Sequence, residues 1–321
     1  MDQVVAALDV GGTSIKAALV DGKGRVLFST RRATGVDAGP AAVVAGIVEL
    51  AAELCSGLGL PADTGAIGEA RVAAVGVVVP GTVDPVAGIA RLAVNLGWQD
   101  IPLVALIEAR TGLPVSLGHD VRTAALAEAR IGAGAGDESM FFVSIGTGIA
   151  GGLVRGGVVE DGATGLSGEI GHLVVRPGGP ACRCGNRGCL EALASASRIS
   201  DRFASATGRT ESAETIAALV RSGDPAARQV WGEAADALAD ALAAATVLVD
   251  PTRFVLGGGL SLAGATLIDP LVSAFAERMT FRTAPPISLT ALGDRAGVLG
   301  AALRAWDQLA ALEGRTAQET G

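Results

Sequence analysis

A strand, a glycine turn and a second strand occur twice in this chain, and that repetition limits its architecture more than any other feature. The first copy is the apolar run Val4 to Val10, the turn Gly11-Gly12 and the run Ile15 to Val20. The second is Met140 to Ile145, the turn Gly146-Thr147-Gly148 and the run Ala150 to Val154. Asp9-Val-Gly-Gly-Thr13 lies on Ser144-Ile-Gly-Thr-Gly148 without a gap. A duplicated unit of this kind predicts two similar α/β lobes facing one another across a cleft, where small ligands commonly bind. The 321 residues suit that division, at roughly 150 residues per domain.

The rest of the chain reads as alternating strands and helices. Asp21 to Gly24 is a turn leading to a third strand, Arg25 to Thr30. Pro40 to Gly57 reads as a helix, Gly57 to Gly68 as a loop, and Arg71 to Val79 as a buried strand. Pro102 to Thr111 is a helix, Val115 to Leu117 a short strand, and Val121 to Ile131 a helix. The Ala-rich stretch Pro225 to Val249 is a long helix with Asp224 as its N-cap and Pro225 at its first position. Arg253 to Leu256 and Ile287 to Leu292 are strands, and Ala296 to Ala311 is a last helix before a polar, frayed tail.

Charge and cysteine usage exclude several classes. The net charge is −8 with no basic run, which disfavours nucleic acid and anionic membrane as partners, because phosphates need clustered Lys and Arg. No apolar stretch is long enough to span a bilayer, and no leader pattern is present, so a cytosolic protein is expected. Cys55 stands alone and reads as a small buried residue. Cys182, Cys184 and Cys189 cluster after His172 with the spacing H-x9-C-x-C-x4-C. One imidazole and three thiolates close a tetrahedral zinc shell that leaves no position for water. The expected metal is therefore structural Zn²⁺.

The glycine turns carry the chemistry. Gly11 and Gly12 let backbone approach a phosphate, with Thr13 adding a hydroxyl and Lys16 a positive charge. Asp9 can hold Mg²⁺ directly or through water. A plain hairpin is the structural alternative. Gly146-Thr-Gly-Ile-Ala-Gly151 spells G-x-G-x-x-G, but a dinucleotide fingerprint needs a helix to begin inside the motif. The following residues read as strand, so a phosphate-binding hairpin fits better than a nicotinamide site. Gly257-Gly258-Gly259, after a late strand, can receive the flat face of a base or simply turn the chain. Asp120, in Gly118-His119-Asp120, is a candidate general base or a helix N-cap. Glu169, His172 and Glu191 form a cluster able to bind hydroxyls or act as surface groups.

Taken together these stretches resemble the ROK family of repressors, open reading frames and kinases, on the actin-like (ribonuclease H-like) ATPase fold. Asp9-Val-Gly-Gly-Thr13 and Lys16 look like its first phosphate motif, and Ser144-Ile-Gly-Thr-Gly148 like its second. Leu256-Gly-Gly-Gly259 looks like its adenosine motif, and Val79-Pro-Gly-Thr-Val-Asp84 like a motif near the sugar. Glu169-x-x-His172 with the three cysteines and Glu191 is similar to the zinc-and-sugar signature of the family's bacterial glucokinases. The resemblance implies an ATP-dependent hexose kinase, most simply a glucokinase, with Mg²⁺ and structural zinc. It implies Asp120 as base toward the 6-hydroxyl. Glu169, His172 and Glu191 would hold the other hydroxyls, with Asn95 nearby.

The resemblance also implies a small lobe of residues 1–119 with the C-terminal helix from about 300 to 321. The large lobe would be residues 120–299, with a zinc loop at 172–189. A homodimer or homotetramer is expected. Where family glucokinases carry Asn-Asp, this chain has His119-Asp120, which opens related acceptors such as N-acetylmannosamine. No helix-turn-helix segment precedes the first glycine motif, so a kinase is expected rather than a repressor. A non-catalytic sugar-binding regulator is the alternative from another class.

Overall fold

The computed structural model describes residues 3–57 and 71–319, with side chains to residue 315. The loop expected at 57–68 therefore lies almost wholly outside the described residues. Contacts divide the chain into two compact units, Met1–Ala127 with Arg295–Gly321, and Glu128–Asp294. The first crossing falls within a helix rather than at His119/Asp120, and the return falls at Arg295.

In the first unit β1 (Gln3–Val10), β2 (Ser14–Asp21) and β3 (Val26–Ala33) form an antiparallel meander. Helix α1 (Pro40–Ser56) leads back to β4 (Arg71–Val79), which pairs parallel with β1. A small antiparallel sheet follows: β5 (Thr82–Asp84), β6 (Ile89–Ala93) and β7 (Trp98–Ile101). Its strands are three to five residues long, too short for periodicity to betray them. Helix α2 (Leu103–Thr111) precedes β8 (Val115–His119), which pairs parallel with β4. Helix α3 (Asp120–Ile131) carries the chain across the boundary.

The second unit holds β9 (Ser139–Ile145), β10 (Ile149–Arg155) and β11 (Val158–Val159), again an antiparallel meander. Helices α4 (Leu190–Ala194), α5 (Ala196–Thr207), α6 (Ala213–Ser222) and α7 (Pro225–Val249) come next. Then β12 (Arg253–Gly257) pairs parallel with β9, and after α8 (Ala265–Arg278) β13 (Ile287–Leu289) pairs parallel with β12. The chain returns to the first unit in α9 (Ala296–Glu319), which continues beyond Ala311, where a frayed tail was expected.

The two five-stranded sheets have the same order and the same sense, β3-β2-β1-β4-β8 and β11-β10-β9-β12-β13. The repeat seen in the letters is thus a repeat of topology. Its turns differ by one residue, however. Val10 pairs with Ile15 across four residues, whereas Ile145 pairs with Ile149 across three.

Alternation sorts β1 between two cores. Val4, Ala6, Leu8 and Val10 join the core under α1 and α2, while Val5 and Ala7 join the core under α9. Period-two geometry therefore places Asp9 on the α9 face. Small residues let α9 approach closely, with Ala301 and Ala302 against Ala7, Ala18 and Ala74. In the second unit, α8 contains Pro270, which cannot donate to the carbonyl of Thr266. The indole N–H of Trp231 on α7 donates to that carbonyl at 2.9 Å instead. Glu128 is fully buried, yet its carboxylate accepts from Ala133, Ala291 and Leu292 N–H groups and from the Thr290 hydroxyl. Four donors offset the desolvation of that charge.

Candidate active site and zinc centre

His172, Cys182, Cys184 and Cys189 converge, with their ligand atoms all within 4.8 Å of one another. Cys182 Sγ lies 3.7 Å from His172 Nδ1, and Cys184 Sγ lies 3.7 Å from Cys189 Sγ. Tetrahedral zinc at its usual bond lengths requires ligand edges of about 3.5–3.8 Å, so the donor set fits the metal. Burial and its thiol neighbours push Cys189 up to about 12. A cation reverses that, because a coordinated thiol is deprotonated outright. Short bridges build the loop. Val174 pairs with Cys189 and Ala181 with Arg187, while Gly188, at φ +75°, packs against the Arg176 backbone. The Arg176 side chain binds Asp240 on α7, which also takes Arg278 on α8. That pairing anchors the loop to the helical layer.

The same loop delivers the remaining candidates of this unit. Glu169 opens the 3-10 turn Ile170–His172, and Gly171 packs on the Ile149 carbonyl at the start of β10. Glu191, in the first turn of α4, does more than present a carboxylate. Its Oε2 accepts the Ile149 N–H at 2.9 Å and lies 2.6 Å from where a Cβ on Gly148 would stand. Glu169, His172, Glu191 and the Gly146–Gly148 turn thus gather around one end of β10. Gly258 packs on the Ile145 backbone with φ +78°, so the third glycine motif lies directly beside the second. Residues 149–155 are a strand and no helix begins inside the G-x-G-x-x-G, which removes the dinucleotide reading. A cavity of about 360 Å³ adjoins Gly259, lined also by Ala196, Glu214, Ala217, Arg221 and Leu262.

In the first unit, β1, β4 and β8 run parallel, so their carboxyl ends share one end of the sheet. Asp9 stands opposite Val78, and Val78 opposite Gly118. Two strand spacings put the Asp9 and Gly118 backbones about 10 Å apart. The end of a parallel sheet is where such folds bind ligands. Lys16, cross-strand from Asp9, places Nζ 3.6 Å from its Oδ2. The Asp9 carboxylate also lies against Gly297, in the first turn of α9, where the helix dipole favours negative charge. Gly12 approaches the Asn95 amide, whose Nδ2 is 3.1 Å from the Cβ position. Thr34, 23 residues from the turn, donates its hydroxyl to the Gly11 carbonyl at 2.6 Å, and its N–H binds the Thr13 carbonyl. No local sequence signal marks Thr34, because that contact is made only once β3 has returned alongside β2.

Asp120 is the first residue of α3, and its side chain is 30% exposed. The cap that Asp120 was a candidate to supply is made by its neighbour. His119 Nδ1 accepts the Arg122 N–H at 3.3 Å. Burial, and then the Arg122 charge, lower His119 to about 3. The ring is therefore neutral near pH 7, and its 3.4 Å approach to Asp120 Oδ1 is not an ion pair. With Nδ1 accepting, Nε2 carries the proton and can only donate.

A family model described as the ROK family matches residues 5–308. The chain belongs to the ROK family. Its fold is the actin-like ATPase fold, α/β in both units. The glucokinase of Thermotoga maritima is 34% identical over 312 residues, spanning 92% of this ROK chain and 95% of its own length. The solved ROK hexokinase from Thermus thermophilus matches with TM-score 0.84 at 37% identity, covering 95% of this chain and 99% of that one. The ROK family glucokinase from Streptomyces griseus, solved with glucose and AMPPNP, matches with TM-score 0.77 at 32% identity over 95% and 99%.

The buried imidazole of this ROK chain has a consequence for stability. The folded-state value of about 3 lies below the ordinary 6.5. Between those values the unfolded chain binds one more proton, so this group makes stability fall as pH drops. The slope is about 1.4 kcal/mol per pH unit inside that window. His119→Asn keeps a good N-cap but no titrating ring. Urea unfolding of both proteins at neutral pH and near pH 5 is expected to give wild type the steeper loss.

Proposed function

We propose that this chain is an ATP-dependent hexose kinase, a glucokinase, that transfers the γ-phosphoryl group of ATP to the 6-hydroxyl of glucose. The observation that carries the reading is the place of Asp120. An accessible carboxylate stands at the sheet end that also carries the Gly11–Thr13 turn. The N-terminus of α3 stabilises its charge. In the reaction the Asp120 carboxylate takes the proton of the 6-hydroxyl as that oxygen bonds to the γ-phosphorus. The bond from phosphorus to the bridging oxygen breaks and ADP leaves. Little else is required of a protein in such transfers than positioning and charge neutralisation.

Glu169, His172 and Glu191 hold the other ring hydroxyls, with Asn95 and His119 completing the acceptor set. The turns Gly11–Gly12–Thr13 and Gly146–Thr147–Gly148 receive the phosphates, with Lys16 adding charge. Gly257, Gly258 and Gly259 border the nucleoside, and the adjoining cavity of about 360 Å³ supports a donor with a base rather than a bare phosphate chain. Asp9 offers the oxygen ligand for Mg²⁺, which when bound neutralises phosphate charge. The closed four-ligand shell around zinc leaves that metal a structural role. A cytosolic homodimer or homotetramer belongs to the same proposal.

The donor-only Nε2–H of His119 favours a second reading of the acceptor, as an N-acetylhexosamine such as N-acetylmannosamine, whose acetamide carbonyl accepts. Hexoses and N-acetylhexosamines offered with Mg·ATP, and ADP release measured for each, distinguish the two. Glucose is expected to give the highest kcat/KM. An N-acetylhexosamine preferred by tenfold or more would replace glucose, and no turnover with any sugar would defeat the proposal.

A further inference from the structure

The second glycine turn is held from outside its own hairpin. Within the hairpin the Gly146 N–H bonds the Gly148 carbonyl at 2.9 Å. Three further ties come from one stretch that begins at a zinc-shell residue. Glu191 Oε2 accepts the Ile149 N–H at 2.9 Å. The Ala196 N–H donates to the Gly146 carbonyl at 2.8 Å, and the Ser197 hydroxyl donates to the Thr147 carbonyl at 2.8 Å. In a trans peptide the C=O and the next residue's N–H point in opposite directions. Holding the Gly146 and Thr147 carbonyls from behind therefore aims the Thr147 and Gly148 N–H groups the other way. That outward pair of N–H groups is what an anion needs.

The stretch supplying these ties is short and mostly buried. Cys189 is the N-cap of α4, and the helix runs directly on from it. Leu190, Ala192, Leu193 and Ala194 are all buried. Fully buried Ser195 ends α4 and caps α5, accepting the Arg198 N–H. Only six residues separate the metal thiolate of Cys189 from Ala196, whose N–H holds Gly146. Moving Cys189 moves Glu191, and with it the end of the turn.

We infer that the zinc shell positions the second glycine turn through α4, so that nucleotide affinity depends on metal occupancy and on Glu191 and Ser197. The inference rests on the reading of Gly146–Gly148 as a phosphate turn. Glu191 is then a positioning residue for the donor as well as an acceptor ligand, with Oε2 on the turn and Oε1 left for a sugar hydroxyl.

The test is calorimetric titration of Mg·AMPPNP in the absence of sugar, with zinc content and melting temperature measured alongside. Zinc-stripped protein is expected to bind AMPPNP at least tenfold more weakly than the zinc-loaded form. Ser197→Ala is expected to retain zinc and weaken AMPPNP about fivefold, the usual effect of one lost hydrogen bond. Glu191→Ala weakens it similarly, whereas Glu191→Gln, which keeps an acceptor for Ile149, binds close to wild type. If stripping unfolds the chain, Ser197→Ala decides the tie to Thr147, and Cys184→Ser, at the exposed thiol of the shell, decides the metal dependence through the same titration. Unchanged AMPPNP affinity in folded Ser197→Ala or in folded zinc-free protein overturns the inference. Wild type that binds no AMPPNP overturns it together with the phosphate-turn reading. Wild type that binds AMPPNP but phosphorylates no hexose sinks only the proposed reaction.

Discussion

Replacing Asp120 by Asn is expected to lower kcat by ~10²–10⁴-fold, while KM for the hexose changes less than about threefold. The substitution is close to isosteric. Asn keeps an oxygen to accept the Val121 N–H, which Asp120 Oδ1 now does at 2.7 Å. The cap of α3 is unaffected, because the His119 ring makes it. What disappears is the capacity to take a proton from the attacking hydroxyl. Steady-state kinetics with glucose and ATP, with sugar affinity measured by titration, separate these effects. Activity within tenfold of wild type would remove Asp120 as the base. A sugar-binding regulator would have no turnover to lose, so wild-type kinetics alone decide against that alternative.

Replacing Cys189 by Ser is expected to reduce retained zinc from about one ion per chain to a small fraction. It is also expected to raise KM for glucose by ~10²-fold or more, because binding free energy at a structural site is folding free energy for the loop it organises. Cys189 is fully buried, next to the Val174 bridge and immediately before α4. A hydroxyl there neither ligates zinc well nor fills the place of the sulfur. The loop between His172 and Cys189 then loses the tie that orients His172, and α4 loses the fixed start that orients Glu191. Elemental analysis, a melting curve and a glucose titration check the three parts. Full zinc content with unchanged glucose affinity would show that the shell is not formed by these four residues.

The parts of the fold that rest on local chemistry were legible in the letters. Helix α7 begins and ends where the sequence reading put it, since Asp224 caps it through the Ala227 N–H and Pro225 sits at its first position. The convergence of His172 with Cys182, Cys184 and Cys189 was legible because their spacing is itself a geometric statement. Strands β5, β6 and β7 were not, being too short to set up a period. The full length of α9 was missed because its polar end has no stop signal.

Sequence alone determined the two strand–turn–strand copies and the donor set of His172 with Cys182, Cys184 and Cys189. Those features depend on residue type and short spacing, which the chain states directly. Tertiary structure decided which groups serve one another. His119 caps α3 as a neutral ring whose Nδ1 accepts the Arg122 N–H, because burial and then the Arg122 charge keep it unprotonated. Thr34 braces a turn far from it in the chain, and Glu191 braces the second turn across 42 residues. Such roles depend on where distant backbone groups come to lie and on the loss of water around them, and neither is written in any local run of residues.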